Sequence, residues 1–538
     1  MKKLMLLMPL LASLCAAPAF AGQGTAYYMD GVVVQESALN WNRDIQTVTD
    51  NGDGTSRFVN HAQGYAFDYP RGFSVDTLMT EVQTVLSGPG TRIEVYHDDF
   101  SGTVHTARSY VNYSLGFTRD PGHQVEAEYW TTVNGISVHV TAWSRDKLTR
   151  VPQDQNHYFV AEFLRGPQEV VTVSIKSETP IAIHDRILQS FRFTDKIGSP
   201  GLHRVFTADR SHFTPMLQSY YEAAFGEESP QRWGIFAWGA TADLTYLKSL
   251  EKKLDYQFDV LVRYQTLDTP APVAELQRAW DDNRVVELTL QTMDRGDNIG
   301  IVYDILNGKH DAFFREYGRE LKRFGKPVLF RLNNEMNGDW CVYSAYHYSR
   351  DTELYKAMWR HIHTLFTEEG ADNLLWVWNP HDLSFPNFKW NHSYAYWPGE
   401  AYVDVVGLTG YNTGTYHPGE KWRSFDEIYP QLYQEYCRVF DYPLMITEFG
   451  SNNTGGDKAA WVRDMFTKMP AYDRIKIIIW FNGTDLDAAG KPARVYRLDT
   501  GDAVQQIFAE NLKRFGGQTL PQLNMTGALE KENTWENQ

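Results

Sequence analysis

From about residue 230 onward the chain repeats one rhythm: a short apolar run, a polar end, then a helical stretch. The runs are Trp233–Trp238, Phe258–Tyr264, Val285–Gln291, Pro327–Asn333, Leu374–Asn379, Val403–Thr409, Leu444–Glu448 and Lys476–Phe481. Runs of this length, apolar on both faces, are what buried parallel strands require. Helical periodicity between them, as in Asp311–Phe324 and Thr352–Glu368, supplies crossovers. Eight strands with crossovers over roughly 280 residues predict a (β/α)8 barrel of the α/β class. An open doubly wound sheet is the weaker alternative, because no Gly-rich phosphate turn follows the first run.

Two of the runs end in chemistry. KPVLFRLNNEMNGDW turns from apolar to polar at Arg331 and carries Asn334, Glu335 and Trp340. PLMITEFGS delivers Glu448 at the end of the seventh run. In a closed eight-strand barrel the fourth and seventh strand ends face one another across the mouth. Paired carboxylates in that position suit a glycosidase in which one acid donates a proton and the other attacks the anomeric carbon.

The segments LFRLNNEMNGDW, NLLWVWNPH, YWPGEAYVDVVGLTGYN and PLMITEFGS resemble, in order and spacing, those of glycoside hydrolase family 26, whose members are mostly β-mannanases. The resemblance covers about residues 233–482. It implies Glu335 as proton donor and Glu448 as nucleophile, Trp340 as a sugar-contacting residue and Tyr411 as a hydrogen-bond donor to the nucleophile. It further implies Trp480 as the floor of the subsite for the attacked sugar, with Arg331 beside the nucleophile. One position departs from the pattern. The family's mannanases usually carry His immediately before the acid, and here it is Asn334. In the wider clan an Asn at this place bonds the sugar 2-hydroxyl, so the preference for mannan is the part the departure opens.

Residues 58–193 are β-rich with turns at Gly88-Pro89-Gly90, Asn134-Gly135 and Arg165-Gly166-Pro167, and residues 22–56 show no clear period. A smaller α+β domain over 22–195 is therefore expected to precede the barrel over 201–516. The smaller domain carries no paired carboxylates or metal-ligand spacing and reads as a binding or spacing module. Lys2-Lys3, the apolar run to Cys15 and Ala19-Phe20-Ala21 predict a signal peptide over 1–21, hence export to periplasm or medium. Residues 517–538 are polar and aperiodic and read as a mobile tail. The formal net charge of −16 disfavours nucleic acid as a partner. No mature run approaches the ~20 apolar residues of a membrane span.

The expectation is thus an exported retaining endo-β-glycanase acting on a polysaccharide, β-1,4-mannan first, as a monomer with no cofactor and no metal. A β-1,3/1,4-glucanase or β-xylanase stands next, and a non-catalytic polysaccharide-binding envelope protein is the rival from another class.

Overall fold

The computed structural model describes residues 24–296 and 298–515. The expected leader over 1–21 and tail over 517–538 lie outside the described residues.

All eight apolar runs form strands of one closed parallel barrel. They are β1 (Arg232–Phe236), β2 (Val260–Gln265), β3 (Val285–Leu290), β4 (Val328–Leu332), β5 (Leu374–Trp378), β6 (Val405–Asn412), β7 (Leu444–Ser451) and β8 (Ile475–Phe481). β8 closes on β1, with Ile479 beside Gly234 and Phe481 beside Phe236. Every residue of β1, β3, β4 and β5 is buried, because one face fills the barrel and the other meets the helices. The helical runs Asp311–Phe324 and Thr352–Glu368 form as expected. The first stops at Gly325 in the left-handed region (φ 61°). The second starts where Asp351 Oδ1 accepts the Glu353 N–H at 3.1 Å.

Alternation along each strand decides what faces inward. Phe236, Val260, Val262, Val285, Leu329, Val377, Val405, Met445, Ile477 and Ile479 form one interior cluster. Helix Pro215–Phe225 joins that cluster through Leu217, Tyr220 and Tyr221, filling the end of the barrel from which the strands start. Continuing the same parity up the strands brings Tyr264, Glu287, Thr289, Arg331, Asn379, Thr409 and Tyr411 inward. Apolar packing below and polar groups above follow from the sequence of each strand.

The chain divides into two compact units. One contains described residues up to 113, 124–147 and 153–203, and the other 114–123, 148–152 and those from 204 onward. The first unit holds a six-stranded and a seven-stranded sheet. The seven-stranded sheet contains Thr91–Asp99, Glu169–Ser177, His157–Leu164, Ile136–Ser144 and Gln124–Val133, all antiparallel. Residues 22–56, aperiodic in sequence, supply Thr25–Met29, Val32–Val34 and Ile45–Asp50 to the six-stranded sheet. Their pairing to Thr55–Asn60 and to one another, not their own patterning, makes them strands. Tyr28, Phe58, Tyr65, Phe67, Val140, Phe163 and Phe191 build the core of this unit. Among the described residues no helix is long and apolar enough to cross a membrane.

The segments 114–123 and 148–152 matter for where the second unit can be cut. Within that unit His123 Nε2 lies 2.7 Å from Tyr303 Oη, and Trp390 Nε1 donates to Ser114 Oγ at 3.2 Å. Phe117 and Leu148 are buried there. A fragment starting at Arg204 keeps the closed barrel but loses these covers, each apolar side chain worth about 1.5–3 kcal/mol of burial. It is expected to fold and to melt about 5 °C or more below the barrel transition of the full chain. Equal melting temperatures by calorimetry would show that the two segments contribute nothing.

Candidate active site

The mouth of the barrel opens into a cleft of about 970 Å³ lined by Glu335, Glu448, Tyr264, Tyr411, Trp340 and His381, among others. Glu335 follows β4 on a backbone that turns twice through the left-handed region, at Asn333 (φ 58°) and at Glu335 itself (φ 53°). Asn tolerates this conformation readily, whereas Glu pays of order 1–3 kcal/mol for it. The turn is held from both sides. Asn333 Oδ1 accepts the Thr292 N–H at 2.7 Å, and Glu335 N donates to the Asn379 carbonyl at 2.8 Å. The carboxyl then receives the Trp340 Nε1–H at 3.3 Å and lies 4.0 Å from His381 Nε2. Burial pushes its pKa up to about 7; the Glu448 charge adds to the rise, while His381, Arg331 and Trp340 oppose it.

Glu448 owes its place to an irregularity. With Met445 facing inward, regular alternation would turn Thr447 in and Glu448 out. The β6–β7 register shifts so that Leu408 pairs with Ile446 but Thr409 with Glu448. This bulge brings two successive side chains inward: Thr447 Oγ1 meets Thr409 Oγ1 at 3.0 Å, and Glu448 enters the cleft. Its two oxygens are held differently. Oε1 accepts from Arg331 Nη1 at 3.0 Å, and Oε2 accepts from Tyr264 at 2.6 Å and Tyr411 at 3.0 Å. Burial holds both phenols well above their usual pKa, and the Glu448 charge adds to this, so they remain donors.

Arg331 is wholly buried. It donates from Nε to Thr289 Oγ1 at 2.7 Å and from Nη1 to Asn379 Oδ1 at 2.9 Å, and its Nε lies 2.8 Å from Glu287 Oε1. Glu287 is also wholly buried, and burial raises its pKa to about 8 against the pull of Arg331. Asn334 is oriented by its neighbours. Its Oδ1 accepts from Gln291 Nε2 at 3.0 Å, and the Tyr343 hydroxyl, which donates to the Asn334 carbonyl at 2.8 Å, lies 3.1 Å from the same oxygen.

Six of the seven sequence-predicted site residues gather here: Glu335, Glu448, Arg331, Asn334, Trp340 and Tyr411. Trp480 does not. It is fully buried, donates Nε1–H to the Tyr496 carbonyl at 3.0 Å, and packs among Phe449, Trp461 and Phe508 outside the barrel wall. It has opposite parity to Ile479 and Phe481, and Phe481 is the aromatic that lines the cleft. Three aromatics in the loops after the strands also lie away from the cleft. Tyr343 is buried beneath Asn334, Trp397 packs on Trp378 and Phe440, and Tyr346 lines a separate cavity with Phe117 and Ile301. Cys341 and Cys437 are unpaired thiols. Sequence reading missed Tyr264, Gln291, His381, Trp238 and Phe481. The inward parity of Val260 and Val262 would have found Tyr264, and position at a strand end the others.

The shared cation gives the site a stability signature. Removing Arg331 leaves Glu287 and Glu448 buried without it. Arg331→Met is expected to cost about 3–5 kcal/mol in urea unfolding of the barrel. Arg331→Met combined with Glu287→Leu is expected to recover part of that loss. An unchanged unfolding midpoint in the single variant would show that the cation does not stabilise the site.

Residues 270–454 match the sequence profile described as Glycosyl hydrolase family 26. Endoglucanase H of Acetivibrio thermocellus is 35% identical over 184 residues, 33% of this chain and 20% of that protein. A mannan endo-1,4-beta-mannosidase of Bacillus subtilis (strain 168) is 36% identical over 141 residues, 24% of this chain and 36% of that protein. The chain thus spans about a fifth to a third of the length of these relatives. The catalytic domain of a GH26 endo-beta-1,4-mannanase from Bacillus sp. JAMB-750 aligns with 57% of this chain and 92% of its own length, at 16% identity and a TM-score of 0.43. The part of the chain that matches this family, residues 270–454, carries both cleft carboxylates.

Proposed function

We propose that the protein is an exported retaining endo-β-glycanase with Glu335 as acid/base and Glu448 as nucleophile. The observation that carries this reading is the contrast between two carboxyls in one cleft. Glu335 is placed by burial to hold a proton near neutral pH, whereas Glu448 accepts hydrogen bonds from a guanidinium and two phenols. In the first step a Glu448 oxygen bonds to the anomeric carbon, the glycosidic C–O bond breaks, and the Glu335 proton passes to the leaving oxygen. In the second, Glu335 takes a proton from water, whose oxygen bonds to the anomeric carbon and releases Glu448. Nothing in these steps calls for a cofactor.

For substrate, β-1,4-mannan is the first candidate, supported by the family and the mannosidase relative. Asn334 favours a second reading, a β-glucan or β-xylan. An amide N–H2 is a donor without charge or ring, and can donate to an equatorial as well as an axial 2-hydroxyl. A reducing-end assay over mannan, glucomannan, lichenan, xylan and curdlan separates these readings, and no release from any of them would overturn the enzymatic one. Asn334→His is expected to raise the mannan-to-lichenan rate ratio by about tenfold, the scale of one mismatched polar contact in a dry site. An unchanged ratio would remove Asn334 as the selector.

The pH dependence follows from Glu335. The proton must be present for bond breaking, so kcat/KM is expected to fall as pH rises through about 7. Glu335→Gln is expected to remove that basic limb from its residual kcat/KM on the polysaccharide, while still being glycosylated by an aryl glycoside whose leaving group needs no proton. A limb that persists in Glu335→Gln would assign it to another group.

A further inference from the structure

We infer that Trp238 is a second sugar-stacking platform, placed on the nucleophile side of the cleft, so that a β-glycan chain binds across the mouth from Trp340 to Trp238. The inference rests on the glycanase reading above and extends it to how the polymer is held.

Trp238 is 74% exposed, the most exposed tryptophan among the described residues. A side chain this large and apolar is ordinarily buried, and one left exposed inside a functional cleft marks a contact surface. It lines the same cavity as Glu335 and Glu448. Its position follows from the strand. Trp238 lies two residues beyond Phe236, the last residue of β1, and its ring meets the Phe236 ring edge-on at 5.2 Å. Phe236 in turn stacks on Phe481 at 4.6 Å and meets the ring of Tyr264 at 5.3 Å. Tyr264 donates to Glu448. An unbroken line of aromatic rings thus runs from the nucleophile's own hydrogen-bond donor up to an open indole.

The opposite side is built the same way. Trp340, 51% exposed, donates to Glu335 and packs against His381 and Phe385. Trp340 follows β4 and Phe385 follows β5, whereas Trp238 follows β1. In a closed ring of eight strands these positions stand across the mouth from each other. Pyranose rings offer apolar C–H faces that suit indoles, and two platforms on opposite sides of the reacting bond hold sugars on both sides of it. That arrangement engages the interior of a chain, and it gives Trp238 the sugars that precede the attacked one.

The test uses the full-length protein. Trp238→Ala and Trp238→Phe are compared with the wild type on the polysaccharide that the wild type cleaves best and on an aryl β-monoglycoside of the same sugar. The proposal expects the Trp238→Ala loss in kcat/KM to be about tenfold larger for the polymer than for the aryl glycoside. The extra loss should fall in KM and not in kcat, and Trp238→Phe should recover most of it. Equal factors on the two substrates, or no loss on the polymer, would overturn the platform while leaving the glycanase reading intact. A wild type that releases no reducing ends from any neutral β-glycan would overturn both. Melting temperatures of the variants within about 2 °C of wild type show that the exposed indole is not a folding contact.

Discussion

One buried cation organises the site. Arg331 sits wholly inside the barrel, touching Thr289, Asn379, Glu287 and Glu448, which come from β3, the end of β5 and β7. Burying a guanidinium is affordable only where several acceptors replace water. The polar upper layer of the barrel, otherwise an unexplained interruption of an apolar core, supplies them. The consequence for chemistry is direct. A carboxylate bound by a fixed guanidinium and two fixed phenols cannot reorient freely, and on the proposed reading its attacking geometry would be set before any sugar arrives.

The two carboxyls differ through the scaffold around them, not through their own chemistry. Glu335 stands on a strained left-handed turn beneath a half-exposed indole, with its nearest cationic candidate 4.0 Å away. Glu448 stands on a bulge above the cation. The same logic extends to Asn334, whose amide is turned by Gln291 and Tyr343 so that it presents donors.

How much of this is legible in the sequence follows from what each feature depends on. The barrel strands are plain because a strand buried on both faces must be apolar throughout, and its polar end then stands out. Helices 311–324 and 352–368 are plain because their apolar stripes are long and regular. Strands between residues 25 and 50 are not, since they are short and exist through pairing with distant partners. Trp480 is misread for a related reason. The resemblance suggests the cleft, but side-chain direction depends on register, and Phe481 has the inward parity. The β6–β7 bulge that turns Glu448 inward leaves no trace in PLMITEFGS. A carboxylate at a strand end can thus be named from sequence, while the face it occupies depends on a one-residue shift against its neighbour.

The aromatic residues of the cleft show how the scaffold separates rigidity from recognition. Phe236, Phe481 and Tyr264 pack on each other and on the barrel wall, and so hold the donor to Glu448 still. Trp238 and Trp340 extend that packing outward with one face left open. On the proposed reading, a polymer laid on these indoles would meet surfaces continuous with the groups that hold Glu448 and Glu335. Binding energy from distant sugars would then help to position the reacting bond. An open cleft with rigid walls suits a chain whose ends lie far outside the protein, because such a chain has to be gripped along its length.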